Sequence, residues 1–170
     1  GLKDIKVVIL GQDLYHNSGA AIGLCLSVGG SRNINASLRN IYIELENEGY
    51  IVNKNGNLNH WVKQGCFMLN TALTVEEAKP GSHLEIWKKF IHNLLLWISS
   101  KPNMVWLYMG AKALEFKEYS NKGQAFITSH PSPYSARSNF REYPAFLGSN
   151  VFRNINNFLN IGNVVLQLVL

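Results

Sequence analysis

The sequence predicts an α/β fold of three layers (α/β/α), with helices on both faces of a central four-stranded, mostly parallel sheet. Two observations lead there. Four short, almost purely apolar runs recur along the chain, the pattern of strands covered on both faces. Segments of helical periodicity separate them, and strands alternating with helices build a parallel sheet.

In chain order, Ile5 to Leu10 is the first apolar run and the first strand. Leu38, Ile41, Tyr42 and Leu45 recur at helical spacing, and Gly49 suits the position just past that helix. Asn53 to Asn59 is polar and turn-rich, hence a loop; Cys66 to Leu69 is the second strand. A loop with Pro80 and Gly81 leads into a helix from about His83 to Ser99. Its inner stripe reads as Ile86, Phe90, Ile91, Leu94, Leu95 and Ile98. Met104 to Tyr108 is the third strand, Gly110 to Glu118 a helix, and Ala125 to Thr128 a short fourth strand. Residues 129 to 148 hold three of the five prolines and form a long loop before a last helix over Asn150 to Leu159.

With 46% apolar and 16% charged residues, the 170-residue chain reads as a single folded domain, residues 1–170, with a sizeable core. No apolar stretch reaches the roughly 20 residues of a membrane span, so no membrane partner is expected. Cys25 and Cys66 sit in apolar stretches without metal-ligand spacing, which predicts buried reduced thiols and an intracellular setting. The sequence does not choose between nuclear, cytoplasmic and viral settings. A formal charge of +5 and a pI near 9.3 are compatible with nucleic-acid binding without establishing it.

Function is read from where the strands end. The stretch VVILGQDLYH runs from a core strand straight into Gln12, Asp13, Tyr15 and His16. The second strand ends at Asn70, the third at Gly110, the fourth at Ser129-His130. In open α/β sheets, ligands gather at the carboxyl ends of the strands, so Asp13, Asn70 and His130 are predicted to converge on one crevice. Taken singly, each has a plainer role: a turn cap, a loop amide, an ordinary loop histidine.

Several familiar chemistries find no footing. There is no G-x-S-x-G elbow, no phosphate loop ending in Lys-Ser or Lys-Thr, no G-x-G-x-x-G after the first strand, and no zinc-deaminase pattern. An acid, an imidazole, an amide and an aromatic ring remain, a set suited to holding a flat polar ring while charge moves. TSHPSPYSA adds a histidine in a stretch stiffened by Pro131 and Pro133, with hydroxyls at Ser129, Ser132 and Ser135. Such hydroxyls and free N–H groups are natural phosphate partners, although a rigid loop without a ligand is the simpler reading of that stretch alone.

Taken together, the segments resemble the family 1 uracil-DNA glycosylases. GQDLYH is similar to that family's GQDPYH box, GLCLSV to GLCFSV, and CFMLNTALTV to its LLLNxxLTV strand and loop. GSHLEIW matches its SH-x-x-x-W helix start, and HPSPYSA resembles HPSPLSA. The similarity runs from about Lys6 to Leu159 with the motifs in the family's order, and the family's N-terminal portion has no counterpart here.

The resemblance implies a uracil-DNA glycosylase-like fold and a monofunctional enzyme that hydrolyses the N-glycosidic bond of deoxyuridine in DNA. It would act on single- and double-stranded substrate as a monomer, without metal or cofactor, and initiate base-excision repair. Asp13 and His130 would be catalytic, Asp13 stabilising an oxocarbenium-like sugar and His130 donating to uracil O2. Gln12, Tyr15, Leu26 and Asn70 would hold uracil, with Tyr15 excluding the thymine methyl. Ser37, Gly110, Ala111, Ser132 and Ser135 would meet the DNA backbone, and Tyr134 stands where the family has its inserted leucine.

The sequence departs from the pattern at several points. Leu14 replaces a turn proline, and Leu26 the phenylalanine that stacks on uracil. Asn35-Ala36 stands where the family has prolines, and Met109-Gly110-Ala111 replaces a Trp-Gly-Ser type segment. Two rival readings follow: the same fold kept for DNA binding with weak or altered base specificity, and a flavodoxin-like nucleotide-binding module.

Overall fold

The structure, a computed structural model, describes residues 1–11, 24–27 and 34–161. The strands are β1 (Val7–Gly11), β2 (Cys66–Asn70), β3 (Val105–Met109) and β4 (Gln124–Thr128). The helices are α1 (Ala36–Asn47), α2 (Asn59–Lys63), α3 (Leu84–Ser99), α4 (Ala111–Leu114) and α5 (Val151–Ile161). Among the described residues no helix is long and apolar enough to cross a membrane.

All three strand pairings are parallel, and the order across the sheet is β2-β1-β3-β4. The three-layer expectation holds, because successive residues of a strand face opposite layers. Val7 and Ile9 pack with Leu38, Ile41, Tyr42 and Leu45 of α1, Trp61 of α2 and Phe152 and Ile155 of α5. Val8 and Leu10 pack on the other side with Ile91, Leu95 and Ile98 of α3, Trp106 and Tyr108. Burying a large apolar side chain of this kind contributes about 1.5–3 kcal/mol, so two continuous layers account for an apolar sheet interior. Cys25 and Cys66 are free and buried, as expected.

Two expectations need correction. α3 buries Ile91, Leu95 and Ile98, but Ile86 is 72% exposed and Phe90 51%. This helix is apolar on more than one side, so periodicity alone does not choose the buried stripe. The helix expected over Gly110 to Glu118 is α4 followed by a separate 3-10 turn at Lys117–Ser120. Tyr108 Oη donates to the Phe116 carbonyl at 3.0 Å, holding the break against β3. The loop expected over Asn53 to Asn59 runs directly into α2, a short helix ahead of the second strand whose one buried anchor is Trp61.

Candidate active site

The strand order reverses between β1 and β3: β1 leads to β2 on one side, and β3 leads to β4 on the other. Outside the carboxyl ends of these two strands lies a cavity of about 420 Å³. This is where a doubly wound sheet leaves its crevice. Leu10, Gly11, Met109 and Gly110 supply the strand ends, and Leu26, Ala111, His130, Tyr134 and Ser135 line the rest with their neighbours.

Of the expected site residues, Leu26, Gly110, Ala111, His130, Tyr134 and Ser135 therefore share one cavity. Asn70 ends β2 in register with Gly11 and is 4% exposed. Its amide fills the space beside Gly11: a Cβ there would stand 2.4 Å from Asn70 Oδ1. Ser37 lies in the first turn of α1, three residues before Asn40, whose amide Nδ2 donates to the Pro131 carbonyl at 2.7 Å. The N-terminal half of α1 thus abuts the loop after β4. Gln12, Asp13 and Tyr15 lie outside the described residues, as does Leu14.

Gly110 does for His130 what Gly11 does for Asn70. Its φ is +89°, and a Cβ would meet His130 Cβ at 2.8 Å. The close pass of the chain after β3 beside the His130 backbone and Cβ requires a residue with no side chain. His130 Nδ1 accepts the N–H of Ser132 at 3.0 Å, so a neutral ring carries its proton on Nε2. Desolvation lowers the His130 pKa below the ordinary value, which favours that neutral form. The arrangement offers one aimed N–H donor from an uncharged imidazole.

The floor and rim differ in character. Leu26 adopts φ 65°, a left-handed conformation uncommon for a residue with a side chain, and brings aliphatic surface to the cavity. Cys25 beside it is not a nucleophile, because burial pushes its thiol pKa far up, with Cys66 adding to the shift. At the rim, Tyr134 is 97% exposed, an aromatic ring held out in solvent. Ser132 and Ser135 pair through their hydroxyls at 2.9 Å. A larger cavity of about 750 Å³ lies between α3 and the Lys112–Tyr119 segment, lined by Thr71, Lys88 and His92 and sharing Lys112 with the first.

Residues 1–159 match the family described as the Uracil DNA glycosylase superfamily. The chain belongs to the uracil-DNA glycosylase superfamily. It is 44% identical to a uracil-DNA glycosylase of Borrelia duttonii over 166 residues, covering 95% of this chain and 72% of that protein. A uracil-DNA glycosylase of Psychromonas ingrahamii is 42% identical, over 93% of this chain and 73% of the relative. Among solved structures, the mimivirus uracil-DNA glycosylase superposes with a TM-score of 0.88 at 30% identity, covering 95% of this chain and 66% of that one.

Superfamily motifs that suggested no role in the sequence acquire one in the fold. Thr74, from the loop after β2, accepts the Trp87 indole N–H at 2.8 Å and pairs with His83 Nδ1 at 2.9 Å. Ser82 Oγ accepts the Glu76 N–H at 2.8 Å. The SH-x-x-x-W segment is therefore a clamp on the loop that follows Asn70. Ser129, whose hydroxyl the sequence offers as a phosphate partner, is instead 2% exposed and bonded within the loop. Its hydroxyl donates to the Ser135 carbonyl and accepts the Phe146 N–H, both at 2.9 Å, while its N–H donates to the Pro144 carbonyl at 3.0 Å. Its polar character at a strand end was visible in the sequence; its partners, up to 17 residues away, were not.

Proposed function

We propose that this chain hydrolyses the N-glycosidic bond of deoxyuridine in DNA, releasing free uracil and leaving an abasic site, the step that opens base-excision repair. Membership of the superfamily supports the activity. The observation that carries the mechanism is the His130 ring beside the cavity, with Nδ1 occupied by the Ser132 N–H, which leaves Nε2 as the donor.

Breaking the C1′–N1 bond leaves its electron pair on uracil and a cationic, oxocarbenium-like sugar. The imidazole Nε2–H donates to uracil O2, where the negative charge collects. Neutral imidazole suffices, since O2 needs a hydrogen bond from the ring and not its proton. Asp13 stabilises the sugar cation and orients the water whose oxygen bonds to C1′; the proton that water releases ends on the uracil anion, giving neutral uracil. Asn70 reads the base: uracil presents an N3–H donor and an O4 acceptor, which one carboxamide matches in a pair. Cytosine reverses both, and a buried amide that cannot turn is left facing two like partners. Tyr15 blocks the thymine methyl at C5, Gln12 contributes its backbone near O2, and Leu26 supplies an aliphatic floor.

The target nucleotide must leave the stack to enter such a cavity. Ser37, Gly110, Ala111, Ser132 and Ser135 contact the phosphates on either side, and Tyr134 fills the gap left in the duplex. Release of free uracil from single- and double-stranded oligonucleotides, with Asp13→Asn as control, tests this reading. Cleavage abolished by that change is the expected result. Tight DNA binding without release would favour the binding-only fold, and neither binding nor release would remove DNA from the account altogether.

A further inference from the structure

We propose that Asn40 is a positioning residue for His130, acting through the one peptide unit that joins Pro131 to Ser132. It rests on the reading that His130 donates from Nε2 to the base. The Asn40 amide donates to the Pro131 carbonyl at 2.7 Å. The N–H of that same peptide, on Ser132, donates to His130 Nδ1 at 3.0 Å. A peptide unit is planar, so its C=O and N–H turn together about the line between their Cα atoms. Holding the carbonyl against α1 therefore aims the N–H at the imidazole.

The anchor is rigid and the link is short. α1 begins with the Asn35 side chain accepting the Leu38 N–H at 2.8 Å, and buries Leu38, Ile41 and Tyr42 on either side of Asn40. Pro131 and Pro133 fix φ on both sides of Ser132, whose carbonyl and hydroxyl are held by Ser135 and Ala136, and the Asn40 amide opposes rotation of the Pro131–Ser132 peptide. Donation to the carbonyl also polarises the peptide and strengthens its N–H as a donor. Asn40 thereby fixes which ring nitrogen of His130 carries the proton and where that proton points, from 91 residues away in sequence.

Asn40→Asp and Asn40→Ala test this. The first keeps the shape but sets an acceptor against the Pro131 carbonyl; the second deletes the contact. With histidine labelled by ¹⁵N, the wild-type ring should give the Nε2–H signature, and both variants should move His130 to a mixture of tautomers. kcat on a single-stranded uracil oligonucleotide should fall roughly tenfold or more, as for a misplaced catalytic group, while KM changes little. Folded variants with wild-type nitrogen signals overturn the proposal. So does a loss of activity that follows lost thermal stability while the His130 tautomer stays unchanged. Should the wild type release no uracil, the functional reading falls, and the nitrogen signals alone still decide whether Asn40 holds the ring.

Discussion

Gly11→Ala adds one methyl group at the point where β1 meets the Asn70 amide, proposed above to read the base. Its Cβ would stand 2.4 Å from Asn70 Oδ1 and 2.9 Å from the Cys25 Cβ, where ordinary contact begins at 3.4 Å. Asn70 must retreat by about 1 Å, and a misplacement of that size at a reacting centre can cost about 10²-fold in rate. Retreat is also costly to the fold, since Asn70 is buried and paired in register with residue 11. Overpacking of this kind costs about 1–3 kcal/mol, and each kcal/mol lowers Tm by about 2–4 °C in a domain of this size. The assay is single-turnover uracil release from a single-stranded oligonucleotide, run beside a cytosine-containing one, with thermal unfolding in parallel. The expected variant is folded, about 10²-fold slower, and poorer at telling uracil from cytosine. A folded Gly11→Ala protein with wild-type rate and wild-type discrimination would refute the placement of Asn70 as the reader.

Three further outcomes follow from the same geometry. Tyr134→Ala should weaken excision from duplex DNA more than from single strands, because only the duplex has a gap to fill; equal losses in the two assays count against the wedge. Leu26→Phe should lower KM for single-stranded substrate with kcat little changed, since base–aromatic stacking of about 1–3 kcal/mol acts on the bound base before and during the reaction. Both residues carry a side chain at φ 65°, so the backbone cost is shared, and an unchanged KM would show that the floor does not touch the base. The lowered His130 pKa places the acid limb of kcat below about 6.5, because protonating Nδ1 displaces the Ser132 N–H. The stability linked to this group has the matching sign: it is full above the unfolded value and is lost as pH falls towards the lower folded one. A kcat profile with its histidine limb at or above 6.5 would contradict the neutral ring.

Much of the fold was legible because the strands are apolar on both faces. Runs such as VVIL and VWLY admit few alternatives once helices separate them, and all four strands stand within two residues of their expected bounds. Leu38, Ile41, Tyr42 and Leu45 were readable for a similar reason, as one stripe on a helix whose other large apolar residue is Ile43. The stripe of α3 was not, because apolar residues also stand at Ile86, Phe90, Leu96 and Trp97, all exposed. Asn70, Gly110 and His130 stand at the strand ends where the sequence places them, and Gly110 and His130 line the cavity. Asn40, Ser129 and the Thr74–Trp87 clamp could not, since their roles consist of bonds to distant backbone or side chains, and a polar residue on a helix or in a loop gives no local sign of such a partner.

The two polar anchors share one construction. Each stands at the end of an outer strand and occupies the volume that a side chain on the neighbouring inner strand would need: Asn70 of β2 beside Gly11 of β1, His130 after β4 beside Gly110 after β3. Their separation is therefore set by the hydrogen-bonded register of the sheet, which cannot slide without breaking every pairing at once. Tyr134 has no such frame, being almost wholly exposed at the tip of a proline-stiffened loop. On this division, changes in the sheet should alter which base is accepted, while changes at the loop tip should alter which form of DNA can deliver it. Asn40 bridges the two, because α1 is packed on the sheet and its amide reaches the loop after β4.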